Sequence, residues 1–98
     1  MKDITEIKTY LTNKKPLLLM YGITEIGIFG SYIKGSATSS SDIDILIDLK
    51  RPSTIGLLEL LEIENQLSEE LNTKVDLVIK SDLKPAIGLQ ILREVQYI

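Results

Sequence analysis

Asp42 and Asp44 stand two residues apart at the head of an apolar run, Ile43 to Leu49. On a strand that spacing turns both side chains to one face. Two carboxylates this close repel, and isoleucines on either side imply partial burial, where unpaired charge is costly. A positive group must compensate. Lys34, the nearest basic residue upstream, brings one charge. A divalent cation brings two, and Mg²⁺ is commonly held by one or two carboxylates together with substrate phosphates. Asp76 is the one acidic residue of a further apolar run, "KVDLVIK". If the two runs are neighbouring strands, Asp76 joins the pair, and three carboxylates on one sheet face suit two-metal phosphoryl chemistry. Asp48 and Asp82 read as solvated. Asp42-x-Asp44 does not open an EF-hand loop, because Leu46 and Ile47 stand where that loop needs an oxygen ligand and a glycine.

Upstream lies Gly30-Ser31, with a second glycine at Gly35 and Lys34 before it. Gly30 permits a positive φ or a close backbone approach to a ligand. Ser31 offers a hydroxyl and an N–H to a phosphate, and a helix starting there would favour anions at its N-terminus. Gly30 and Gly35 have the spacing of a P-loop, but Ser36 occupies the lysine position, so a P-loop is excluded. A polar stretch, "SATSS", then leads to Ser41 and the aspartates.

The elements that must carry these residues follow from periodicity. "DITEIKTYL" has Asp3 as a helix N-cap with Glu6 three residues on, and Ile4, Ile7 and Leu11 on one stripe. Pro16 suits the first position of a second short helix ending at Gly22. Residues 23–30 read as a strand, with Ile26 and Ile28 on one face and Gly27 and Phe29 on the other. Residues 42–49 read as a second strand, with Asp42, Asp44, Leu46 and Asp48 sharing a face. Arg51 to Thr54 form a turn and cap. Residues 56–71 read as a helix with Leu57, Leu60, Leu61, Glu64, Leu67 and Leu71 near one side, stopped by Asn72. A third strand follows. Pro85 then opens a terminal helix carrying Ile87, Ile91, Leu92 and Val95. The expected order is α-α-β-loop-β-α-β-α, with a helix between strands two and three long enough for a parallel crossover. This is a small α/β domain with a mixed sheet of three or more strands flanked by helices.

Composition narrows the chemistry. The 98 residues amount to one domain, 1–98, and include neither Cys nor His. Thiol or imidazole nucleophiles, Cys/His zinc sites and disulfides are excluded. Hydrophobic residues make up 44% but aromatics only 5%, so Leu, Ile and Val must fill the core. The net charge of −3 argues against a broad nucleic-acid surface. No apolar run reaches membrane-spanning length, and the reading is a cytoplasmic protein.

Taken together, Gly30-Ser31, Gly35 and Ser41-Asp42-Ile43-Asp44 form the pattern G-S-x-x-x-G-x(5)-S-D-x-D. This resembles the nucleotidyltransferase superfamily that includes polymerase beta. With "KVDLV" and "ILREVQYI", nearly the whole chain resembles the minimal nucleotidyltransferases of prokaryotes, antitoxin partners of HEPN-domain toxins. The resemblance implies a polymerase-beta-like fold. It implies that Gly30, Ser31, Lys34, Gly35 and Ser41 hold the nucleotide, and that Asp42, Asp44 and Asp76 bind metal, with Asp76 also able to accept a proton. Where the family has Ala-Arg before the second glycine, this chain has Ile33-Lys34, which keeps the charge and gives up the bidentate fork. The implied activity is Mg²⁺-dependent transfer of AMP from ATP to a hydroxyl, a tyrosine's, on a HEPN RNase toxin. The alternative is an antitoxin that neutralises its toxin by binding alone.

Overall fold

The computed structural model describes residues 3–98. The elements are helix α1 (Ile4–Met20), strand β1 (Ile23–Phe29), helix α2 (Ser31–Lys34), strand β2 (Ile43–Leu49), helix α3 (Leu57–Leu71) and strand β3 (Val75–Ile79), then a 3₁₀ turn (Lys80–Asp82), helix α4 (Pro85–Glu94) and strand β4 (Gln96–Tyr97). The sheet order is β3-β2-β1-β4. It is mixed: β1 runs antiparallel to β2 and β4, while β2 and β3 are parallel, joined by α3 as the crossover. Among the described residues no helix is long and apolar enough to cross a membrane.

One face of the sheet builds the core. Ile26, Ile28, Ile43, Ile45 and Ile47 pack with Ile7, Leu11 and Leu18 of α1 and Ile63, Leu67 and Leu71 of α3. The expected break at Pro16 is absent: α1 runs through it as one helix. An interior proline costs a helix about 3 kcal/mol and leaves the Thr12 carbonyl without its intrahelical donor. Burying Leu18 beyond the proline, with Ile7 and Leu11 before it, returns ~1.5–3 kcal/mol per side chain, so packing outweighs the local penalty. The start and end of α1 follow expectation. Asp3 Oδ1 accepts the Glu6 N–H at 2.8 Å, and Gly22, at φ 89°, ends the helix.

Two apolar stripes differ from expectation. In α3 the buried line is Ile63, Leu67 and Leu71, while Leu57 and Leu61 are exposed. The cap is Gly56 rather than the Arg51–Thr54 turn, with the Glu59 carboxylate accepting the Gly56 N–H. In the C-terminal segment Ile87 and Leu92 face outward, and Val95 lies beyond the helix, leading into β4. Val95 is drawn to the sheet by Gly27, where any Cβ would lie 2.5 Å from Val95 Cγ2.

The edge strand β3 is held by side chains of α3. Ser68 Oγ accepts the Val75 N–H at 2.9 Å and Glu64 Oε2 accepts the Leu77 N–H at 2.8 Å. Glu64 therefore sits within an apolar helix face because it satisfies an edge amide. These two bonds flank Asp76 and fix the backbone that carries it.

The hydroxyl of Tyr32 is buried and has no hydrogen-bond partner among the described residues. A buried unsatisfied hydroxyl costs about 1–3 kcal/mol. Tyr32→Phe is therefore expected to raise the melting temperature by several degrees, at roughly 4–8 °C per kcal/mol for a domain of this size. A lower melting temperature in thermal unfolding would contradict the orphaned hydroxyl.

Candidate active site

The register brings the motif residues together. Phe29 is paired with Asp44 across β1 and β2, and Asp44 is paired with Asp76 across β2 and β3. Asp42 immediately precedes β2. The three aspartates thus lie at one end of the sheet, on the face opposite the core, beside the Gly30-Ser31 turn.

Gly30 is required twice over. Its φ of 79° lies where side chains are disfavoured, and a Cβ there would stand 2.2 Å from Asp44 Oδ2. The Asp44 carboxylate lies directly against the Gly30 Cα. From Gly30 the chain makes one helical turn, Ser31 to Lys34, with the Lys34 N–H donating to the Gly30 carbonyl at 3.0 Å. Gly35, in the left-handed region at φ 76°, closes the turn. The following loop is laced rather than loose. Thr38 N–H donates to Ser41 Oγ at 2.9 Å, and Ser41 N–H donates to the Thr38 carbonyl at 3.0 Å. The Ser41 hydroxyl is therefore engaged in holding the loop ahead of Asp42.

The electrostatics are strained in the direction a cation would relieve. Burial, then the Asp76 and Asp42 carboxylates, then Glu94, hold Asp44 above the ordinary carboxylate range, with Lys34 opposing. Asp76 is also raised, first by burial, with Lys74 opposing and Asp42 adding to the shift. Lys74 supplies the compensation that was sought in Lys34. Its Nζ lies 3.7 Å from Asp42 Oδ2 and 3.8 Å from Asp76 Oδ1. The Lys74 side chain is 70% exposed, so this bridge is weak and movable.

The donor set is all oxygen and suits a hard divalent cation. Among the described residues no three acidic side chains converge closely enough to enclose an ion by themselves. A cation of that kind could take the Asp42 and Asp44 carboxylates as two of its ligands, with phosphate oxygens of a substrate completing its shell.

Two residues of the site were not singled out in the sequence, although they lie within "KVDLV" and "ILREVQYI". One is Lys74. The other is Glu94, at the end of α4: its Oε1 accepts the Gly30 N–H at 3.3 Å and its Oε2 lies 3.4 Å from Lys34 Nζ. Lys34 thus turns to Glu94 rather than standing free at the turn.

A mixed sheet with a Gly-Ser turn set against paired aspartates defines a nucleotide-handling α/β domain. The chain belongs to the nucleotidyltransferase family: residues 4–98 match the model described as "Nucleotidyltransferase domain". It is 46% identical to the protein adenylyltransferase MntA of Thermococcus cleftensis, over all of this chain and 98% of that one. A solved minimal nucleotidyltransferase superposes with a TM-score of 0.81 at 27% identity, covering 97% of this chain and 95% of the other. A toxin–antitoxin crystal structure with AMP-PNP aligns with a TM-score of 0.69 at 27% identity, covering 87% of this chain and 69% of that one.

Proposed function

We propose that the chain transfers AMP from ATP to a hydroxyl of a cognate HEPN-domain toxin, a tyrosine's, and thereby neutralises it. The observation that carries this reading is the register that sets Asp44 against both Gly30 and Asp76. The protein adenylyltransferase name of the Thermococcus relative and the AMP-PNP-bound toxin–antitoxin structure support the direction of the chemistry.

In this reading Gly30, Ser31, Lys34 and Gly35 receive the triphosphate, and Ser41 keeps the loop braced. Asp42 and Asp44 would hold Mg²⁺, with Asp76 beside them. An ion held there would supply positive charge to offset the triphosphate and the leaving pyrophosphate. The acceptor oxygen attacks the α-phosphorus in line. The bond from that phosphorus to the pyrophosphate oxygen breaks, and the hydroxyl proton passes to the Asp76 carboxylate. Burial and its neighbours raise the proton affinity of Asp76, which suits it to that role.

The test is incubation of the chain with its partner toxin, ATP and Mg²⁺, followed by intact-mass measurement of the toxin. A mass gain of AMP, lost when Mg²⁺ is chelated, is the expected result. A tight complex without any mass gain would overturn transfer in favour of neutralisation by binding.

A further inference from the structure

Glu94 occupies groups that a phosphate would need. Its two carboxylate oxygens lie on the Gly30 N–H, at 3.3 Å, and by the Lys34 ammonium, at 3.4 Å. Glu94 brings a further carboxylate to the site, on a side chain only 19% exposed. A carboxylate in a site already crowded with negative charge needs a reason. The reason lies in its two partners, the cationic and N–H donors of the turn.

Its placement is built into the fold. Glu94 is the last residue of α4, and the next residue, Val95, lies against Gly27 of β1. Gln96 and Tyr97 then pair with Ile28 and Gly27. The sheet thus pins the chain just after Glu94, and the absent side chain at Gly27 lets it come down far enough for the carboxylate to reach Gly30.

We infer that Glu94 is a resident stand-in for phosphate, a positioning residue that keeps the Gly30 amide and Lys34 oriented and is displaced by the incoming triphosphate. This inference rests on the nucleotidyl-transfer reading above. Because the single Gly30 N–H cannot serve a carboxylate and a phosphate together, nucleotide binding competes with the Glu94 contact there. Entry of the nucleotide also releases the end of α4 from the turn.

The test compares wild type with Glu94→Gln, which keeps size and removes charge, and Glu94→Asp, whose shorter side chain cannot span both donors. Binding of AMP-PNP and of inorganic tripolyphosphate, each with Mg²⁺, is measured by calorimetry, and melting temperatures confirm folding. Displacing a charged hydrogen bond opposes binding, so Glu94→Gln is expected to tighten both ligands about tenfold and Glu94→Asp to tighten them less. In transfer assays the KM for ATP falls as binding tightens. Equal or weaker binding of both ligands by both variants overturns the inference, while the transferase reading stands if AMP transfer persists. Failure of wild type and variants alike to bind either ligand overturns the transferase reading and this inference together.

Discussion

Asp44→Asn is expected to lower AMP transfer by about three orders of magnitude while leaving the metal-free protein at least as stable as wild type. The loss follows from position. Asp44 is the carboxylate flanked by both Asp76 and Gly30, and the amide keeps its shape but not its charge. Stabilisation by a bound metal is worth several kcal/mol at the transition state, and each ~1.4 kcal/mol is tenfold in rate. The stability change has the opposite sign. Burial and neighbouring carboxylates raise Asp44 in the fold, so the folded state disfavours its ionised form. A group raised in this way contributes its stability while protonated, below its unfolded pKa, and that contribution is lost as pH rises through the folded value. Above the folded value the ionised Asp44 therefore opposes folding, and the neutral amide removes that opposition. Thermal unfolding in chelator and intact-mass transfer assays check both halves. A variant that melts well below wild type, or one that transfers normally with Mg²⁺, contradicts the assignment.

Some of this site is written locally in the chain, and some is not. An aspartate inside a run of isoleucines is a local anomaly, and so Asp42, Asp44 and Asp76 stand out before any fold is known. The period of two in Ile43, Ile45 and Ile47 places the aspartates on the other face, and the strand pairing agrees. Pro16 misleads because its local penalty is outweighed by burial of Leu18, a tertiary term that no short window contains. Val95 misleads for a related reason: its spacing from Ile91 and Leu92 is helical, yet its partner is Gly27, far back in the chain. Glu94 and Lys74 carry charges ordinary for a surface. Glu94 gains meaning only through a contact spanning 64 residues, and Lys74 only once β2 and β3 are set side by side. One signal was available: a glycine inside a strand marks a close backbone approach, and Gly27 pointed to something lying over it.

Gly30→Ala is expected to damage both the fold and the chemistry, and the comparison with Gly35→Ala separates the two. Both glycines have positive φ, 79° and 76°, so an alanine at either adds backbone strain of about 1–2 kcal/mol. They differ in what a methyl group meets. A Cβ at Gly35 would meet, beyond its chain neighbours, no atom of the described residues within 4 Å, whereas one at Gly30 would stand 2.2 Å from Asp44 Oδ2. The strain alone should lower both melting temperatures, by roughly 4–8 °C per kcal/mol. Only at Gly30 must the Asp44 carboxylate also swing away or the β1–α2 junction lift, and either movement breaks the alignment of the proposed metal ligand and phosphate seat. Misplacement of this order, near 1 Å, costs about 10²-fold in rate. Transfer by Gly30→Ala is therefore expected to fall at least ~10²-fold at a temperature where it remains folded. Gly35→Ala is expected to lose at least tenfold less, a gap of ~1.4 kcal/mol at the transition state. Equal losses of transfer in the two variants would mean that the turn acts through its backbone conformation alone. The contact between Gly30 and Asp44 would then have no part in aligning the site.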